Sequence, residues 1–150
     1  ILSPPRRPMT YEDPENHIFV ISHDCAIGCA RKPHNDDCVV EHGNMIIESI
    51  YLDDQLARGA EMSRCVGIDH LESQPYILDI DLDAFHSRQA IDPADRTTFF
   101  RLIRNAVAIT VATEAECVDE LKFDGEAIDA DFLLARLVDH IKAAQTLVLG

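Results

Sequence analysis

The chain of 150 residues predicts an α/β fold with a mostly parallel sheet, built as one domain over 1–150. Three observations carry that expectation. Short apolar segments rich in β-branched residues alternate with segments whose apolar residues recur at helical spacing. Asn44, Asp92 and Asp129 stand as capping residues directly ahead of the helical segments. Hydrophobic residues make up 47% of the chain, enough for a real core and too many for general disorder.

Residues 1–16 hold several prolines and mixed charge, and read as an irregular N-terminal arm. His17 to Ser22 is β-branched and aromatic, a first strand, and 23–43 is a loop crowded with His, Asp and Cys. Asn44 then caps a helix to about Arg58, with Met45, Ile46, Ile47, Ile50, Tyr51 and Leu52 as its apolar face and Gly59 as its end. Cys65 to Ile68 reads as a short strand, and 76–82 as a third, which carries the acidic motif. Asp92-Pro93 starts a helix whose buried side holds Phe99, Phe100, Leu102, Ile103 and Val107. Residues 108–113 return as a strand. Asp129 caps a last helix over 130–145, with Phe132, Leu133, Leu137, Val138 and Ile141 inward, and Leu147 to Leu149 suits a further strand.

Charge and cysteine content exclude several classes. A net charge of −14 disfavours nucleic acid and anionic membranes as partners, because phosphate binding needs clustered Lys and Arg. The same charge suits cationic substrates or metal ions. No apolar run approaches the roughly 20 residues that span a bilayer, and the Pro- and Arg-rich start does not resemble a signal peptide. The chain opens on Ile rather than Met, as a trimmed or partial chain would. Five cysteines, an odd count, point to reduced thiols and a cytoplasmic location.

The densest chemistry lies in Tyr76 to His86. Asp79, Asp81 and Asp83 alternate with Ile80 and Leu82, so period-two geometry turns all three carboxylates to one face. Three like charges there repel, and a divalent cation is the simplest compensation. A solvated edge strand is the alternative, whereas apolar Ile77, Leu78, Ile80 and Leu82 favour a buried strand. The loop His23-Asp24 with His34-Asn35-Asp36-Asp37 offers imidazole and carboxylate donors that suit Mn, Fe or Zn. In the same loop Cys25, Cys29, His34 and Cys38 also suit a structural zinc site, although small buried thiols are the simpler account. His42 can shuttle a proton, beside Gly43 for a turn and Asn44 for a cap. Glu114 and Glu116, just past strand 108–113, can hold a guanidinium or simply face water.

Ile77 to Asp83 resembles the Ser-x-Asp-x-Asp metal strand of the arginase-like metallohydrolases. It is closer still to the Leu-Asp-Ile-Asp-Leu-Asp form of a little-characterised branch that includes peptide arginases. The resemblance implies a three-layer α/β/α fold in reduced or truncated form, and two Mn²⁺ ions. It implies Asp81 and Asp83 as metal ligands with Asp79 close behind. His23 resembles the family's early single His ligand, and His34 with Asp36 the second half of its Asp-x-His-x-Asp motif, in which Lys32 replaces the first Asp. By the same resemblance His42 and Asp83 relay protons, while Glu114 and Asn44 hold substrate. The implied reaction is hydrolysis of a guanidino carbon–nitrogen bond in a cationic substrate or an arginine-containing peptide, giving ornithine and urea. Two other readings accompany it: a degenerate, non-catalytic metal-binding member of the fold, and a Mg²⁺-dependent phosphohydrolase.

Overall fold

The computed structural model describes residues 43–146. The predicted strands at 17–22 and 147–149, and the loop to residue 42, lie outside the described residues. In chain order the elements are α1 (Ser49–Cys65), a 3-10 turn (Leu71–Ser73), β1 (Ile77–Asp81) and a second 3-10 turn (Leu82–Ala84). There follow α2 (Arg88–Ile91), α3 (Thr97–Asn105), β2 (Ala108–Ala112), α4 (Ala115–Leu121) and α5 (Ala130–Thr146). The expected α/β class and parallel pairing are both present. β1 and β2 run parallel in the register Ile77 to Ala108 through Asp81 to Ala112, joined by a crossover through α2 and α3.

β1 buries side chains on one face only. Leu78 is half-buried and Ile80 buried, while Ile77, Asp79 and Asp81 are exposed. Ile77, expected inside, is 62% exposed, because period-two alternation turns it to the side of the acids. Leu82 keeps the inward side of the alternation as the strand ends. The chain tightens into the 3-10 turn there, closed by Phe85 N–H donating to Leu82 O at 3.1 Å, and Leu82 drops fully into the core. Ile91, Val118, Leu133 and Leu137 surround the same interior, with Phe85 and Phe99 beside them. Burying each of these large side chains stabilises the fold by roughly 1.5–3 kcal/mol.

Several boundaries differ from the sequence expectation. The helix expected from Asn44 starts at Ser49, with Glu48 in the capping position, and Gly59 lies inside it. The cost of Gly59, about 1 kcal/mol, is outweighed by the burial of Met62 and Ser63 farther along. Gly67, at φ +81°, ends the helix instead. Its N–H donates to Arg64 O, and Ile68 N–H donates to Ser63 O at 3.0 Å, a Schellman cap. The strand expected at 65–68 is this cap, since β-branched Val66 and Ile68 carried the pattern without a partner strand among the described residues.

Asp92-Pro93 does not open a helix either. It forms the connection between α2 and α3. Ser87 caps α2 by accepting from Ala90 N–H at 3.0 Å, and Asp95 accepts from Thr97 N–H at 2.9 Å ahead of α3. Asp92 is spent on tertiary contact with Arg136. Val107, expected on the buried side, is 68% exposed, because α3 stops at Asn105. Val138 is 37% exposed on the outer side of α5. The expected Asp129 cap is present, accepting from Phe132 N–H at 2.8 Å.

α3 is held at both ends. Glu48 accepts from Ala94 and Asp95 N–H at 2.9 and 3.2 Å, and Ser49 Oγ accepts from Thr98 N–H at 3.1 Å. At the other end Tyr76 hydroxyl donates to Leu102 O at 2.8 Å, a carbonyl that also accepts from Ala106 N–H at 3.1 Å. Burial raises the Tyr76 pKa, which keeps it a donor. These bonds fix the crossover and therefore the relative position of the two strand ends.

Candidate metal centre at the strand ends

Parallel pairing brings the carboxyl ends of β1 and β2 to one edge. Asp83 and Glu114 each stand two residues beyond the last register pair, Asp81 with Ala112. Asp83 lies in the 3-10 turn after β1, whose position is set by buried Leu82 and Phe85 on either side of it. Glu114 occupies the capping position of α4, and Cys117 is the third residue of that helix. The three-residue spacing puts Glu114 and Cys117 on one side of the first turn. One ligand atom from each of Asp83, Glu114 and Cys117 lies within 4.8 Å of the others. Asp83 and Cys117 are half-buried, and Glu114 is exposed.

The electrostatics of the group are negative throughout. Partial burial first, and then the carboxylates of Glu114, Asp83, Glu120 and Glu116, raise the Cys117 thiol above its ordinary pKa. The free thiol is therefore held protonated. A dication reverses that sign, because it favours the thiolate and offsets the repulsion between the carboxylates. Two carboxylates and a thiol are a sound donor set for a divalent cation. The oxygens suit Mn²⁺, and the sulfur adds affinity for softer Zn²⁺ or Fe²⁺.

The other sequence candidates separate into three groups. Asp79 and Asp81 lie on the exposed face of β1, outside the Asp83 group. Asp79 accepts a hydrogen bond from Thr110 Oγ1, directly across the register. Asn44 lies beside the segment after Asp83, where its Oδ1 accepts from Ser87 Oγ. His23, His34, Asp36 and His42 lie outside the described residues, as do Cys25, Cys29 and Cys38 of the zinc alternative. Glu114, chosen as a guanidinium holder, stands within reach of Asp83. Cys117 was missed. Its signal is present as Glu114-x-x-Cys117 directly after a strand, but the helix that gives this spacing meaning is not among the elements the sequence predicts.

Gly43 supports the neighbourhood by close approach. A Cβ there would lie 2.7 Å from Phe123 Cζ and 3.4 Å from His86 Nδ1. The His86 and Phe123 rings meet edge to face at 5.1 Å, and Phe123 N–H donates to His86 O at 2.9 Å. Gly43→Ala is expected to destabilise the protein by about 1–3 kcal/mol through this overpacking. Chemical denaturation checks it: the midpoint falls while the slope is unchanged.

Compared with known proteins, the chain matches no family model, no curated protein and no solved structure. Among the described residues no helix is long and apolar enough to cross a membrane.

Proposed function

We propose that the protein is a metal-dependent hydrolase of a guanidino carbon–nitrogen bond, with an arginase-like three-layer architecture and a cytoplasmic location. The observation that carries this reading is the convergence of Asp83 and Glu114 beyond the ends of two adjacent parallel strands. In open α/β sheets that edge is where ligands collect. Asp83 would hold the cation, joined by Asp81, His23, His34 and Asp36, with Asp79 behind them. The preferred ion is Mn²⁺, in a pair. Bound there, such ions supply Lewis acidity and bring the pKa of water toward neutrality.

The chain's own groups account for the rest of the proposed chemistry. In this reading Glu114, exposed beyond the end of β2, offers its two coplanar oxygens to a guanidinium rather than to the cation. The net charge of −14 raises the local concentration of a cationic substrate such as free arginine or an arginine side chain in a peptide. His42 and Asp83 are the proton-handling groups of this reading.

Elemental analysis paired with a urea-release assay tests it. Two equivalents of Mn per chain, and turnover of an arginine peptide that depends on added Mn²⁺, are expected. Metal without turnover would instead support a non-catalytic binding protein. Mg²⁺-dependent release of phosphate would support a phosphohydrolase.

A further inference from the structure

His140 is a buried ionisable side chain outside the candidate metal centre. It is 3% exposed, in the middle of α5. Its Nε2 lies 2.7 Å from Ile91 O, at the end of α2, and 3.3 Å from Asp92 Oδ1, at the start of the connection to α3. A carbonyl only accepts, so Nε2 carries the hydrogen. The rings of Phe99 and Phe100 from α3 flank the imidazole at 6.3 and 6.0 Å.

Among the described residues, three charged groups act on it. Asp92 and Arg96 face it from the α2–α3 connection, and Arg136 from the preceding turn of α5. Asp92 is itself engaged by Arg136, through Nε at 2.9 Å and a second guanidinium nitrogen at 2.5 Å. Arg96 adds a longer contact to Asp92 at 3.5 Å. The carboxylate that would balance an imidazolium is thus already shared with two guanidiniums. A proton added to His140 would enter an apolar, cation-flanked position.

We propose that His140 is a pH-sensitive latch, fastening α5 to the α2–α3 connection when neutral and releasing it when protonated. The sign follows from burial. Desolvation first, with Arg96 and Arg136 adding to it, outweighs the Ile91 and Asp92 contributions and sets the folded-state pKa below the ordinary value. Above about pH 6.5 both folded and unfolded chains hold the ring neutral, and the latch contributes in full. As the pH falls through that value the unfolded chain gains a proton that the folded chain excludes, and the contribution is lost. Asp92, held below the usual carboxylate range chiefly by its hydrogen bond to Arg136, weakens only at pH below about 4, a separate window.

Thermal melts across pH test the latch, with wild type compared with His140→Gln. Glutamine keeps an N–H for Ile91 O and cannot titrate. The wild-type Tm is expected to shift downward as pH falls from about 7.5 to about 5.5, and the His140→Gln Tm is expected to stay level over the same range. An equal downward shift in both proteins would overturn the proposal. Should His140→Gln fail to fold, NMR titration of the wild-type imidazoles decides. A His140 resonance that titrates above about pH 6.5 would also overturn it, and one that titrates below supports it.

Discussion

Asp83→Asn is expected to abolish both divalent-cation binding and urea release. The substitution keeps the shape of the side chain and removes the charge. The turn that carries residue 83 is held by Leu82 and Phe85, so the fold should persist. Loss of groups that merely orient a ligand costs about 10–100-fold in metal affinity. Loss of a direct carboxylate ligand should exceed that, to a loss of at least about 100-fold. Isothermal titration with Mn²⁺ gives the affinity, and the coupled assay gives the turnover. A second readout comes from Cys117. Asp83 is one of the carboxylates that raise the thiol pKa, so metal-free Asp83→Asn should alkylate faster at Cys117 than wild type. Urea release that survived Asp83→Asn would eliminate the proposed mechanism. Asp81→Asn is the informative companion. Its side chain is on the exposed strand face, and an equal loss would assign it to the same ligand set.

Leu82→Ala is expected to cost about 2–5 kcal/mol of stability. Leu82 is fully buried and lies in one interior with Ile91, Val118, Leu133 and Leu137, contributed by α2, α4 and α5. Truncation leaves a cavity that three separate elements would have to close together. Small domains hold only about 5–15 kcal/mol in total, so this single change consumes a large share of it. Urea denaturation should show a much lower midpoint. The effect should reach the candidate centre as well, because Leu82 is the residue between Asp81 and Asp83. Mn²⁺ affinity in Leu82→Ala should fall even though every donor is intact. An unchanged affinity would mean that the core does not position Asp83.

The two strands and the long helices among the described residues were legible because their signals are local. Alternation in Ile77 to Asp81, the helical spacing of Phe99, Leu102 and Ile103, and the Asp129 cap each read correctly from a few neighbouring residues. Errors gathered where a local signal had two physical uses. Gly59 resembled a helix end, yet packing at Met62 carried the helix on to Gly67. Asp92 resembled a cap, but Arg136, 44 residues away in sequence, claimed its carboxylate. α4 was invisible as a helix because it is seven residues long, too short for periodicity to declare itself.

The candidate centre divides in the same way. Asp83 and Glu114 could be chosen from sequence, since acids at strand ends are readable from pattern. Their meeting could not, because it depends on parallel pairing and on how far each chain runs past the register. Cys117 needed α4 to turn it toward them.

From its order of residues alone, this protein determined its α/β class, its acidic strand and the exposed face that Asp79 and Asp81 share. Those properties follow from backbone geometry over a few residues. The tertiary structure alone decided which acids meet, which aspartate binds arginine, and that His140 is buried. Each of those depends on contacts between segments distant in sequence, and their energies exist only once the core has brought the segments together.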